Sequence, residues 1–278
     1  MIFWKTFGHE RIKNIFNKQL EANTLAHAYL FAGSQGVGKK TLALELAKEI
    51  LGTENLSNHP DFQILDGDGE ISAEIAVDFI RGLSLKPFVA SKKVAVINNA
   101  QNLNQQSSNA LLKTLEEPAS NTIIILISGS GKLLPTIVSR CQVFNFYNFS
   151  KEGLEKFSLA SEIKTSNEIL ELSFGRIDRL MQLSKDPAFL TQQLHTIQKY
   201  EQFSKMPTGE KFLAISEYAE FEADELQKDF STWMSWQMQS LNKNPKNVSK
   251  LQALTDAING LKFNQNKKLV LQGLFLKL

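Results

Sequence analysis

The sequence predicts an α/β protein: a phosphate-loop (P-loop) domain on a parallel sheet, a small helical domain after it, and an all-α C-terminal domain. Three observations support the prediction. Short apolar runs alternate with helical patterns through the first half of the chain. A glycine-rich stretch, LFAGSQGVGKKTLALE (Leu30–Glu45), joins the first apolar run to a helical pattern. After about Tyr147 the apolar runs cease and only helical patterns continue. The boundaries this implies are 1–147, 148–184 and 185–278.

Five apolar runs read as strands: HAYLFAG (27–33), FQILDG (62–67), VAVINN (94–99), TIIILIS (122–128) and QVFNFY (142–147). They are continuous rather than alternating, as expected where helices cover both faces of a parallel sheet. Helices are expected between them at Lys39–Leu51, at Ile71–Leu85 before Pro87, and over NQQSSNALLKTLEEP, ending at Pro118. This βαβ rhythm places ligands at the carboxyl ends of the strands. Beyond it, FSKEGLEKF, SNEILELSFG and RIDRLMQLS read as short helices around Gly175. From Asp186 the helices lengthen. Their apolar stripes are Leu190/Leu194/Ile197, Leu226/Phe230/Trp233 and Leu251/Leu254/Ile258/Leu261. MPTG (206–209) and NKNPKN (242–247) are the expected breaks.

Composition narrows the class. The 278 residues are 42% apolar and 22% charged, with a formal net charge of +2, so bulk charge announces neither nucleic acid nor membrane. The single cysteine, Cys141, excludes an intrachain disulfide and a multi-Cys zinc cluster. The N-terminal MIFWKTFGHERIK has no apolar signal region. No apolar run approaches the roughly 18 residues of a membrane span. A cytoplasmic location is the expectation.

The glycine-rich stretch carries the first candidate chemistry. A phosphate loop needs glycines so that the backbone can curl its N–H groups around an anion, and a lysine that reaches the phosphates. Gly33, Gly36, Gly38 and Lys39 stand in that context, between a strand and a helix. The strict pattern continues with a hydroxyl that holds Mg²⁺, but here the residue is Lys40, and Thr41 comes one position late. An ammonium repels the cation. Lys39 and Lys40 can still hold an anion without metal. A glycine-rich turn that only packs the sheet is the bland alternative.

Hydrolysis also needs acids at the end of the third strand. The residues there are Asn98, Asn99, Ala100 and Gln101, and neutral amides neither neutralise Mg²⁺ nor act as a base. Farther on, Arg140 of the SRC triplet reads either as a surface salt bridge or as a finger directed into a neighbour's site. Cys141 reads as a small core residue. Glu116 and Glu117 of KTLEEP read as a solvated charge patch, and His27 and His59 lack metal-ligand spacing. Trp233, Met234, Trp236 and Met238 read as core or as a subunit interface.

Four segments occur in order: LAHAYLFAGSQGVGKKTLALELAKEIL, HPDFQIL, NALLKTLEEPASNTIIILIS and LLPTIVSRCQVFNF. Together they resemble the clamp-loader subunits of bacterial DNA polymerase III, delta-prime above all, with its tau/gamma sisters. The resemblance covers 1–147 strongly, 148–184 loosely, and the rest only as a helical tail. It implies an AAA+-type P-loop domain, a helical lid and a helical collar. It further implies a subunit of a hetero-pentameric ring, with tau/gamma and delta as partners, that places a sliding clamp on primed DNA during DNA replication. Delta-prime is similar in fold to the motor subunits but is regarded as a stator without hydrolysis. Its SRC arginine, here Arg140, would act in trans on a neighbour's ATP. The loop residues Gly33, Gly36, Gly38, Lys39, Lys40 and Thr41 would then hold ATP or ADP without hydrolysis, or nothing.

Departures from the family pattern sharpen this. The four-Cys zinc module is replaced by GTENLSN (52–58), so no zinc is expected. Motor subunits carry acids where this chain has Asn98–Gln101. Aligning SFGRIDRL on their lid pattern puts Asp178 at the arginine position, flanked by Arg176 and Arg179. The tail after Asp186 is short for a full collar, which leaves a trimmed collar or a truncated chain. A stator subunit is the first reading. An active clamp-loader ATPase is the second, and a P-loop kinase or phosphotransferase the third.

Overall fold

Period-two alternation within each apolar run gives a strand two apolar faces, so both faces of the resulting sheet must be covered. The computed structural model describes residues 4–66, 71–83, 85–119, 121–129, 133–240 and 248–278. Its two compact units are Met1–Gly153 and Leu154–Leu278.

In the first unit α1 (Glu10–Glu21) precedes β1 (Ala28–Gly33), α2 (Lys39–Leu51), β2 (Phe62–Asp66) and α3 (Ala73–Leu83). Then come β3 (Lys93–Asn98), a 3-10 turn (Ala100–Asn102), α4 (Gln105–Glu116), β4 (Thr122–Ser128), α5 (Pro135–Val138) and β5 (Gln142–Phe146). The five strands form one sheet in the order β2-β3-β4-β1-β5, and every pairing is parallel. Along β1, Tyr29 and Phe31 face a core shared with Phe16 of α1 and Leu42 and Leu46 of α2. Ala28 and Leu30 face the opposite core, with Ala76 and Leu83 of α3 and Leu111 and Leu115 of α4. Burying each such large side chain is worth about 1.5–3 kcal/mol.

The structure corrects several expectations. The helix expected over Ile71–Leu85 is shorter, because Ile71 pairs with Leu103 as an isolated bridge. The next helix begins at Gln105, because Asn104 serves as its cap, its side chain accepting from Ser107 N at 2.8 Å. The edge strand β5 buries only Phe144 and Phe146 and leaves Gln142, Val143 and Asn145 exposed, so it alternates rather than running apolar throughout. The sequence reading assigned neither α1 nor α5. The residue Gly67, expected to close the second strand, and Ser84 lie outside the described residues.

Asp61 anchors the segment before β3. Its carboxylate is 0% exposed and accepts from the backbone N–H groups of Phe88 (2.6 Å), Val89 (2.8 Å) and Ala90 (2.8 Å). Burial by itself pushes a carboxyl upward, but the three N–H donors outweigh it and hold Asp61 below its ordinary value. A carboxylate depressed in the folded state stabilises the protein above its unfolded pKa, and that stability fades as pH falls through the folded one. Asp61→Asn turns an amide toward those donors. It is expected to cost about 2 kcal/mol at pH 7, read by urea unfolding. The gap between variant and parent should close in acid.

The second unit is helical: α6 (Lys151–Ala160), α7 (Asn167–Leu172), α8 (Ile177–Lys185), α9 (Pro187–Lys205), α10 (Thr208–Tyr218), α11 (Ala223–Ser240), α12 (Val248–Lys262) and α13 (Lys267–Phe275). Its core joins Tyr200, Phe203, Tyr218, Leu226, Phe230, Trp233, Leu254, Leu271 and Phe275. Phe203 and Phe275 pack in a tilted arrangement with ring centroids 4.0 Å apart. The stripe expected at Leu190/Leu194/Ile197 is rotated: Gln193, Thr196, Ile197, Tyr200 and Phe203 are the buried positions of α9. Gln193 is buried because it accepts from Arg179 Nη2 and from Thr232 Oγ1. The MPTG break is narrower than expected, since Thr208 and Gly209 already belong to α10 behind Pro207. The NKNPKN break lies outside the described residues. Trp233 is core, with Nε1 donating to Thr196 O at 2.8 Å, whereas Met238 is 57% exposed.

Candidate functional site

The P-loop stretch closes β1 and opens α2. All three glycines adopt left-handed or otherwise positive φ: 143° at Gly33, 74° at Gly36 and 94° at Gly38. At Gly33 the requirement is also steric, because an added Cβ would lie 2.1 Å from Phe146 O on β5. Gly38 caps α2 and, having no side chain, supplies no side-chain acceptor to the helix start. Lys39 is buried, and its Nζ donates to Gly33 O at 2.7 Å and Ser34 O at 2.5 Å. Val37 O, within the loop, accepts from His9 Nε2 at 2.7 Å, since a carbonyl can only accept. The His9 ring lies against Phe146 and Phe149. Burial lowers its pKa first, the Val37 contact raises it, and Lys13 lowers it further. The net shift is downward. No local spacing links His9 to a loop 28 residues on, so sequence reasoning missed it.

The helix after the loop carries the second surprise. Lys40 donates to Asp66 Oδ2, and Asn98 Nδ2 donates to Asp66 Oδ1 at 2.7 Å. Asp66 ends β2 in register with Asn98 at the end of β3. The Lys40 bond, with help from Asn98, holds the Asp66 carboxyl below its ordinary value. A carboxylate does therefore sit at the carboxyl edge of the sheet, one strand over from where it was sought. The signal was available in strand register, not in the third-strand motif. Thr41 is exposed on α2.

The donor set therefore fits an anion: glycine-shaped backbone, a helix start without a side-chain cap and two adjacent lysines. It fits a divalent metal poorly, because Lys40 already neutralises the carboxylate that would ligate it. To meet a phosphate, Lys39 exchanges two carbonyls for it.

Arg140 stands in the turn between α5 and β5. Its Nη2 donates to Glu116 Oε1 at 2.6 Å and its Nη1 to Thr136 O at 3.0 Å. The Arg140 side chain is 35% exposed and that of Glu116 is 49% exposed. Glu116 thus belongs to the arginine rather than to an unattached charge patch. Cys141 packs beside the core that includes Leu111 and Leu115, and burial pushes its thiol up to about 11, so it is inert. In the second unit Arg179 is committed to structure. It donates to Leu172 O at 2.7 Å and lies 4.7 Å over the Phe174 ring, and burial first lowers its pKa, to about 10. Arg176 pairs with Asp178 at 2.8 Å. Among the described residues no group of three or more His, Cys, Asp or Glu is placed to hold a metal, and no helix is long and apolar enough to cross a membrane.

Residues 8–150, a little over half of the chain, match the family model described as DNA polymerase III, delta subunit. The chain belongs to that family. It is 28% identical over 220 residues to the DNA polymerase III subunit delta' of Bacillus subtilis, covering 72% of this chain and 67% of that one. It is 36% identical over 139 residues to the delta' subunit of Pseudomonas aeruginosa, covering 42% of each. The match thus spans two thirds of one relative's length and less than half of the other's. In fold it is similar to a DNA polymerase III gamma subunit-related protein of Thermotoga maritima, with a TM-score of 0.52 at 19% identity over 96% of this chain and 97% of that one. The parallel sheet flanked by helices and the helical C-terminal region are the architecture it shares with that protein.

Proposed function

We propose that the chain is a non-catalytic, stator-like subunit of the DNA polymerase III clamp loader, working in a hetero-pentameric ring with tau/gamma and delta subunits. In that role it helps place the sliding clamp on primed DNA and lends Arg140 to a neighbouring subunit's ATP. One observation carries the non-catalytic part: the third strand ends in the neutral Asn98, where a motor needs acids, and the carboxylate of Asp66 on the neighbouring strand is held by the Lys40 ammonium. The family membership and the delta' relatives support the clamp-loader part.

Gly33, Gly36, Gly38, Lys39, Lys40 and Thr41 hold ATP or ADP, in this reading, without turning it over. The isolated chain is expected to show no steady ATP hydrolysis, with or without primed DNA. Steady turnover that disappears in Lys39→Ala sinks the stator reading. Nucleotide binding, followed by fluorescence of a labelled ADP, should persist when Mg²⁺ is chelated and weaken in Lys39→Ala.

An active ATPase of the same fold is the second reading. It is favoured by the presence of Asp66 at the sheet's carboxyl edge, and the same turnover assay separates the two.

A further inference from the structure

We propose that Glu116 is the positioning residue for Arg140: it pins the guanidinium in the place from which the arginine acts on a neighbour's nucleotide. The inference rests on the finger reading above and deepens it.

The argument starts from the flexibility of the side chain. An arginine loses much of its rotamer freedom when it is held in one geometry. A finger that is disordered until the transition state incurs that cost in the rate, whereas one held beforehand does not. Arg140 is held. Two of its five N–H donors are engaged, on acceptors from different elements, Thr136 O and Glu116 Oε1.

Both supports are themselves fixed. Glu116 is the last residue of α4, directly after Leu115, which with Leu111 is buried in the core. Pro118 ends the helix there. Glu116 stands in the last turn of α4, where the helix end carries a partial negative charge that, like the carboxylate, favours a cation. Below Arg140, Thr136 O also accepts from Ser139 Oγ at 3.1 Å, and the Arg140 and Cys141 amides donate to Ile137 O and Val138 O. The SRC turn is therefore closed by its own hydrogen bonds, and Cys141 seats it against the core.

Partial exposure completes the case. Buried outright, the pair would be structural. Here the side chains are a third to a half exposed. The Glu116 contact engages one nitrogen through one oxygen, which leaves other guanidinium edges for a phosphate. The carboxylate sits 24 residues upstream of the arginine in sequence, in a motif with no obvious tie to SRC.

The test uses the full chain in the reconstituted clamp-loader assembly with clamp and primed DNA, and reads single-turnover ATP hydrolysis over a range of ATP concentrations. Glu116→Ala is expected to lower the saturating single-turnover rate of the site assigned to Arg140 about three- to tenfold, with the ATP concentration for half-saturation nearly unchanged. Glu116→Asp should recover part of the loss. In the Arg140→Ala background, Glu116→Ala should add nothing, since the two act as one unit. Analytical gel filtration checks that each variant assembles. An unchanged or raised single-turnover rate in Glu116→Ala, while Arg140→Ala is impaired, overturns this proposal and leaves the finger standing. Wild-type rates in Arg140→Ala overturn the finger itself. A Glu116→Ala loss that persists in full without Arg140 overturns the positioning role and marks Glu116 as structural.

Discussion

Arg140→Ala is expected to leave the chain folded and able to assemble, and, if Arg140 is the proposed finger, to cut ATP hydrolysis at the neighbouring site assigned to it. The fold should tolerate the change because a pair this exposed contributes only about 0–1 kcal/mol. The catalytic effect should be far larger. Arginine fingers typically contribute roughly 10³–10⁵ in rate, because the guanidinium neutralises charge that develops only in the transition state. Single-turnover hydrolysis in the reconstituted assembly is the cleanest readout, since other motor sites would dilute a steady-state rate. Clamp loading on primed DNA should fall with it. Arg140→Lys should rescue little, because an ammonium lacks the planar, two-pronged donor geometry of a guanidinium. Wild-type hydrolysis and loading by the Arg140→Ala assembly refute the finger role.

Gly33→Ala is expected to be the most damaging small substitution in the first unit. The new methyl group would sit 2.1 Å from the backbone carbonyl of Phe146, at a φ of 143° that side chains rarely adopt. Neither partner is the flexible end of a side chain, so β1 and β5 must separate or the backbone must rotate. Strain of this kind costs about 1–3 kcal/mol, and overpacking a comparable amount. A combined loss of about 3 kcal/mol or more should appear as a clear drop in the unfolding midpoint. Gly52→Ala is a useful control. Its φ of 64° is also positive, but nothing lies within 4 Å of the added methyl, so only the backbone penalty applies. Equal losses in the two variants would show that the contact with Phe146 contributes nothing.

Much of the first unit was legible in the sequence because its strands are short and nearly uniformly apolar. TIIILIS spans the residues of β4, and KKTLALELAKEIL those of α2. The P-loop was legible for a different reason: glycine spacing reports backbone geometry directly. What the sequence concealed was every contact set by pairing across distance. Asp66 meets Asn98 because β2 and β3 lie in register, and it meets Lys40 from the start of α2. Glu116 meets Arg140 only because α4 and the SRC turn pack against one core. The stripe of α9 was misjudged because its periodicity was read from leucines, while the buried face is completed by Gln193 and Thr196, whose polar atoms are satisfied by partners on α8 and α11.

The division of apolar side chains between two units has a practical consequence for any denaturation experiment. One set packs around the sheet and another around Trp233, so the chain need not melt as a single cooperative step, and the drop expected for Gly33→Ala belongs to the midpoint of the first unit. The tryptophans happen to be distributed for this purpose. Trp4 packs at the edge of the sheet's core and donates to Asn17 at 2.9 Å, while Trp233 and Trp236 belong to the helical unit. Replacing Trp4 by phenylalanine leaves an emission signal that comes from the helical unit alone. Retaining Trp4 while replacing the other two reports the first unit. A fluorescence melt of each variant would then assign the Gly33→Ala defect to one half of the molecule.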